Sequence, residues 1–300
     1  MRVVITGAGG QLGHDLLDAF ADHDPVGLTR HQLDVTDEAA VADAVTTIRP
    51  TLVVNAAAAT DVDGCEADPD GAHRVNALAP WWLARACVRT GATLVTFSTD
   101  YVFDGAAPSG PGGTPRGFTE TDPVRPLSVY GRTKAAGEQL VRETLPAHHI
   151  VRTAWVSGAQ GRNFVRTMLR LADVGDPVRV VDDQTGSPTT TRDLAAAVRR
   201  LAVTGRHGTV HLVNEGVATW FDVAEAVFAL SGRAVDLGRQ SSDAVARPAP
   251  RPAWSVLDTT HARTLGVGPL PHWRDALVRL LDELGVRVGR PTTAPGADGP

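Results

Sequence analysis

Through the first half of the chain, short aliphatic and β-branched runs alternate with longer stretches whose apolar residues recur at helical spacing. Arg2–Thr6, Val26–Leu28, Leu52–Asn55, Thr93–Phe97 and His149–Val151 read as strands. Helical stretches fall between them, near residues 11–21, 37–48, 70–90 and 128–144. This alternation predicts a parallel sheet covered by helices on both faces, which right-handed crossovers wind into a doubly wound, Rossmann-type α/β fold. Farther on, Val178–Val181 and Thr209–Val213 read as strands, and residues near 191–203 and 219–230 as helices. Two segments rich in Gly and Pro exclude regular structure: Gly105–Gly117, either a flap over a site or a plain surface insertion, and the tail Gly289–Pro300, expected to be disordered.

At roughly 150 residues per domain, 300 residues allow one large or two modest domains. The expected division is a dinucleotide-binding unit over residues 1–150 and a smaller unit over 151–287, parts of which return to the first sheet. With 43% hydrophobic and 21% charged residues, the chain is neither disordered nor membrane-spanning in character. Its longest weakly polar stretch, Leu52–Ala59, contains Asn55 and is far short of the ~20 apolar residues of a bilayer span. A net charge of -5 argues against a nucleic-acid partner. No basic patch followed by an apolar run precedes the first strand, so the expectation is a cytoplasmic protein. Cys65 and Cys87 have no nearby Cys or His pair and read as reduced, structural thiols; no metal site is predicted.

Chemistry enters directly after the first strand, at Thr6-Gly7-Ala8-Gly9-Gly10-Gln11-Leu12-Gly13. Glycines at 7, 10 and 13 permit a tight turn, close backbone approach to a pyrophosphate and close packing of the next helix, whose N-terminus offers free N–H groups to an anion. The position between a strand and a helix raises the motif above a chance turn, and the missing Gly-Lys-Ser/Thr disfavours a nucleoside triphosphatase.

The chain has 29 basic residues and only one lysine, Lys134, four positions after one of its two tyrosines, Tyr130. Random placement would give that relation to either tyrosine about 2 times in 300, and on a helix it brings the side chains together. An ammonium near a phenol favours the phenolate, so Lys134 is expected to lower the pKa of Tyr130 and make it a usable acid or base. Ser98-Thr99-Asp100 follows the fourth strand, so a hydroxyl from Ser98 or Thr99 would stand at the carboxyl edge of the sheet, where a carbonyl substrate would lie.

In this order, the glycine loop, Ser98-Thr99 and Tyr130-x-x-x-Lys134 resemble the extended short-chain dehydrogenase/reductases. Longer segments narrow the resemblance: Asn55-Ala-Ala-Ala, Phe97-Ser-Thr-Asp-Tyr-Val-Phe-Asp-Gly105, Val129-Tyr-Gly-Arg-Thr-Lys-Ala-Ala-Gly-Glu138, Val151-Arg-Thr-Ala-Trp-Val156, Asn163-Phe-Val, Val181-Asp-Asp-Gln-Thr-Gly-Ser-Pro188 and Arg251-Pro-Ala-Trp-Ser-Val-Leu-Asp258. These are similar to the dTDP-4-dehydrorhamnose reductase family over residues 1 to about 287. The resemblance implies Thr99, Tyr130 and Lys134 as the catalytic trio. It implies a cofactor lined by Gly7, Gly10, Gln11, Leu12, Gly13, Asp34, Val35, Ala58, Ala59, Thr60 and Phe97, and a dTDP-sugar met by Thr99, Asp100, Trp155 and Asn163. Magnesium binds some members. The chain departs from the pattern at Ala59, Gly64, Ser157 and Trp254, and the last two leave the identity of the sugar open. A monomer or homodimer is expected.

Three residues complete the candidate site. Thr29 and Arg30 follow the second strand where NAD-selective proteins place a carboxylate, so NADPH is expected over NADH, although NADH can be accepted. Arg251 is the candidate cation for the sugar-nucleotide diphosphate. Three rivals share the scaffold: another dTDP-4-keto-6-deoxysugar ketoreductase, a 4,6-dehydratase or epimerase that retains NAD, and a non-catalytic homologue resembling the regulatory subunit of methionine adenosyltransferase. The complete trio weighs against the last. Asp100 is followed by Tyr101, not by the Glu of a dehydratase pair.

Overall fold

The computed structural model describes residues 1–288, so the tail expectation falls outside the described residues. Six parallel strands form the main sheet: β1 (Val3–Thr6), β2 (Val26–Leu28), β3 (Leu52–Asn55), β4 (Thr93–Thr99), β5 (His148–Thr153) and β7 (Gly208–His211), with β6 (Val178–Val181) lying elsewhere. Their order, β7-β5-β4-β3-β1-β2, reverses direction between β1 and β3, and that switch point is where an open α/β sheet has its ligand crevice.

Alternation along the strands feeds two cores at once. Val3, Ile5, Leu52, Val54, Val95 and Val151 pack on one face with Leu16 of helix α1 (Gln11–Ala19) and Leu194, Val198 and Leu201 of a later helix. Val53, Leu94 and Ile150 point the other way, onto α2 (Glu38–Ile48), α3 (Ala79–Thr90) and α4 (Val129–Thr144). Each fully buried aliphatic side chain contributes about 1.5–3 kcal/mol, which is why these strands are apolar on both faces.

Most predicted elements appear within a few residues of their expected bounds. The predicted helix over 70–90 is instead two helical segments, Pro69–His73 and α3, joined through a π turn at Arg74–Leu78. The longer helices of the second half are α5 (Phe164–Val174), α6 (Thr191–Leu201), α7 (Trp220–Ser231) and α8 (Trp273–Glu283). Helix α6 packs beside α1 under the main sheet, so the second half of the chain supplies both an edge strand and a covering helix to the first. A separate core gathers Val165, Met168, Val180, Phe221, Val227, Trp273, Leu277 and Leu281 around α5, α7, α8 and the parallel pair β6 and β8 (Leu237–Gln240).

The Gly105–Gly117 segment is tied at its base. Trp254 Nε1 donates to the Arg116 carbonyl at 3.0 Å, Trp254 N to the Gly105 carbonyl at 3.2 Å, and Arg116 grips Asp122 with both terminal nitrogens.

One charged pair lies inside this frame. Arg152 on β5 donates from Nε and Nη2 to the Glu138 carboxylate on α4 at 2.8 and 2.7 Å, with both side chains nearly fully buried. Removing one partner of such a pair leaves a buried uncompensated charge, which costs about 3–5 kcal/mol. Arg152→Ala should therefore lower the unfolding free energy by about that amount, measured by urea denaturation; a loss below 1 kcal/mol would mean that water or another cation replaces the guanidinium.

Candidate active site

The crevice floor is set by glycines whose missing side chains are required. Gly7 has φ +68°, and a Cβ there would lie 2.6 Å from Ala57 N; at Gly13 it would lie 2.3 Å from the Gly7 carbonyl oxygen. The loop is thus pressed between Asn55-Ala-Ala-Ala and the start of α1. Beneath it a polar row crosses the sheet: Thr6 Oγ1 donates to Asn55 Oδ1 at 2.7 Å, and Asn55 Nδ2 to Thr96 Oγ1 at 3.3 Å.

A cavity of about 570 Å³ opens over this loop, lined by Gly7, Gly10, Thr29, Arg30, Asp34, Val35 and Ala56–Ala59 among others. Thr60 lines an adjoining cavity of about 490 Å³ that also reaches Arg30. An extended cradle with a backbone-lined floor, a flanking guanidinium and an apolar wall fits a dinucleotide. Asp34 accepts from Thr36 N and Oγ1, and these bonds, with Arg30 nearby, hold its carboxyl below the usual range. Leu12 and Phe97 are partly buried against the apolar core under the sheet.

Sequence reasoning missed Asn76, in the π turn. It accepts from Ala59 N at 2.9 Å and donates to the Ala59 carbonyl at 3.0 Å and to Thr133 Oγ1 at 3.2 Å, fixing the Ala58–Thr60 wall to α4. Gly137 allows this approach, since a Cβ there would lie 2.3 Å from the Asn76 carbonyl oxygen. π turns often mark functional sites, but nothing in the local sequence of residues 74–78 announces one.

At the carboxyl end of β4, Thr99 approaches Tyr130 on α4. Ser128 caps that helix by accepting from Gly131 N, and Gly131 lets the first turn approach the Tyr101 carbonyl. Lys134 lies one turn beyond Tyr130 and is buried. The expected lowering of the Tyr130 pKa by Lys134 is not what the structure gives: burial dominates, the nearby Thr99 hydroxyl opposes it, and the phenol is pushed up. Lys134 is itself lowered by burial to about 8, with Glu138 pulling the other way.

The residues expected to meet the sugar are less free than the sequence implies. Asp100 is 1% exposed and accepts from Thr99 Oγ1 at 3.0 Å; burial lifts its pKa to about 6, so it sits behind Thr99 and orients it. Asn163 caps α5 through Arg166 N and donates to Gln11 Oε1 and the Gly158 carbonyl, both at 2.8 Å. Gln11 and Asn163, expected as cofactor and sugar contacts, are bonded to each other and so tie the start of α1 to the start of α5. Trp155 has φ +50°, a strained conformation for a bulky residue, and stacks on Trp220 with centroids 3.7 Å apart. Arg251 donates to both carboxylate oxygens of Asp63, at 3.1 and 2.7 Å. Among the described residues no three His, Cys, Asp or Glu side chains gather into a metal-binding cluster, and no helix is long and apolar enough to cross a membrane.

Comparison with known proteins decides the lineage. The model of the RmlD substrate binding domain family matches residues 1–286. The chain belongs to this family. It is 47% identical to dTDP-4-dehydrorhamnose reductase of Mycobacterium tuberculosis over 93% of this chain and 92% of that protein. It is 42% identical to dTDP-4-keto-6-deoxy-D-glucose reductase of Streptomyces niveus over 93% and 96%. The crystal structure of dTDP-4-dehydrorhamnose reductase from Bacillus anthracis in complex with NADP superimposes with a TM-score of 0.89 at 37% identity, covering 94% of this chain and 99% of that one.

The buried lysine has a measurable consequence. Unfolded, Lys134 keeps its proton up to the ordinary 10.5; folded, only to about 8. Between these values unfolding takes up a proton, so stability attributable to Lys134 rises with pH. In dinucleotide-free protein, the unfolding free energy of wild type relative to Lys134→Met should climb by on the order of 3 kcal/mol across that window. Parallel stability curves for the two proteins would contradict the buried, desolvated ammonium.

Proposed function

We propose that the protein reduces the C4 ketone of a dTDP-4-keto-6-deoxyhexose with NADPH, converting dTDP-4-dehydro-L-rhamnose to dTDP-L-rhamnose. The observation that carries this reading is the approach of Thr99 to Tyr130 at the carboxyl edge of the sheet that also carries the dinucleotide-shaped cavity, with Lys134 one helical turn away. The reduced dinucleotide, when bound, supplies the hydride. Tyr130 then gives its proton to the carbonyl oxygen as negative charge develops there. Burial that raises the phenol's pKa keeps that proton in place at neutral pH, which suits an acid in the reductive direction. The Thr99 hydroxyl donates to Asp100 and accepts from the Tyr101 N–H, so its position beside the proposed carbonyl site is fixed before substrate arrives. Lys134, still mostly charged near pH 7, holds a cation where a nicotinamide ribose would lie.

The resemblance to the Streptomyces niveus enzyme, together with Ser157 and Trp254, supports a second reading in which a different 4-keto-6-deoxyhexose is reduced. Incubating the protein with NADPH and candidate dTDP-4-keto-6-deoxyhexoses, and identifying the sugar formed by NMR, separates the two. A cytoplasmic location, where NADPH and nucleotide sugars are supplied together, accompanies either reading.

Tyr130→Phe should lower kcat by ~10² or more, the usual scale for loss of a general acid; near-wild-type turnover would exclude Tyr130 as the donor. Cofactor preference rests on Arg30, exposed at the end of the dinucleotide cavity and free to pair with a 2′-phosphate. The ratio of kcat/KM for NADPH over NADH should favour NADPH and fall in Arg30→Ala, chiefly through KM. An unchanged ratio would remove Arg30 from that role.

A further inference from the structure

The segment between β8 and residue 252 walls a further cavity, of about 390 Å³, lined by Val181, Gln184, Ser242, Asp243, Arg247 and Arg251 among others. Its two guanidiniums differ in what they already hold. Arg251 is committed: it grips Asp63 with both terminal nitrogens and donates to the Ala249 carbonyl at 2.7 Å. Arg247 is exposed and makes no hydrogen bond or ion pair with any described residue. Asp243 lines the same cavity without forming an ion pair with Arg247, and the Asp63 carboxylate is taken up by Arg251, so Arg247 is the guanidinium of this lining whose donors remain unengaged.

The same cavity carries a nearly buried amide. Gln184 is 5% exposed, its Nε2 donates to Ser242 Oγ at 2.7 Å, and its Oε1 has no donor among the described residues. A free cation beside a fixed amide acceptor is a lining for a nucleoside diphosphate: the guanidinium meets phosphate oxygens and the acceptor meets a ring N–H. Tyr101 connects this lining to the reaction centre, because its ring packs edge-on against Tyr130 at 5.7 Å while its phenol feels Arg251 and Arg247.

We propose that Arg247 binds the diphosphate of the nucleotide-sugar substrate, and that Arg251 acts as a latch that holds the 245–252 segment against Asp63. The assignment rests on the proposed reduction of a dTDP-sugar, and it replaces Arg251, which the sequence favours, with a residue that has its hydrogen-bonding capacity free. A guanidinium already paired bidentately must break that pair before it can serve a phosphate; Arg247 need not.

The test is calorimetric titration of the full chain with dTDP, accompanied by titration with NADPH and by thermal melting. Arg247→Ala should raise the Kd for dTDP about tenfold, the equivalent of ~1.4 kcal/mol, with the NADPH Kd and Tm unchanged. Arg247→Lys should recover part of the loss, because a point charge remains where the fork has gone. Arg251→Ala should lower the Tm, as expected of a latch. A dTDP Kd unchanged in Arg247→Ala, with wild-type binding intact, overturns the assignment while leaving the reductase reading in place. Failure of the wild type to bind dTDP at all overturns both.

Discussion

The buried pair between Glu138 and Arg152 is the contact on which the site's geometry depends most directly. Tyr130, Lys134 and Glu138 stand four residues apart on α4 and therefore share one face of the helix. Anchoring the last of them to β5 fixes the rotation and depth of the other two against the end of β4. Arg152 also reaches His211 on the edge strand, at 3.4 Å. Burial and Arg152 push that imidazole down to about 3, so it stays neutral and accepts from the guanidinium while Nδ1 is left to bond the Asp258 carbonyl. The pair thus joins α4, β5, β7 and the segment after residue 250 through groups that cannot move without exposing a charge.

Around this anchor, the lobe built on α5, α7 and α8 is tied by polar contacts to the glycine loop side of the sheet. The apolar cluster around α5, α7 and α8 is distinct from the clusters on the two faces of the sheet. Gln11, at the first turn of α1, bonds Asn163 and the backbone at Gly158 and Arg162; Arg251 bonds Asp63. Each tie lies at the rim of the crevice, so the residues that join the lobes also set the width of the space between them. Polar ties of this kind are individually worth about 1 kcal/mol and directional, and they define an orientation without welding the lobes together.

The chemistry assigned to Tyr130 and Lys134 follows from desolvation more than from mutual attraction. A charge near a phenol is expected to lower its pKa, and the spacing of the two residues invites that argument. In the folded chain the low-dielectric surroundings act on both groups and favour the neutral form of each, raising the phenol and lowering the ammonium. A protonated tyrosine one helical turn from a lysine that is still mostly charged near pH 7 is the resting state these shifts give.

The sequence by itself determined what depends on local pattern. Strands with apolar residues on both faces, the glycine loop between a strand and a helix, and the four-residue relation of Tyr130 to Lys134 are legible because backbone sterics and helical periodicity act over a few residues. The tertiary structure decided which side chains remain free to act. Arg251 is committed to a carboxylate 188 positions away, and Asn163 to a glutamine 152 positions away. Asn76 supports the cofactor wall from a π turn that no local signal marks, and Asp100 is withdrawn behind Thr99. Pairing and burial between distant segments are properties of packing, so a residue's type shows what it can bind, and only its neighbours in space show what it already holds.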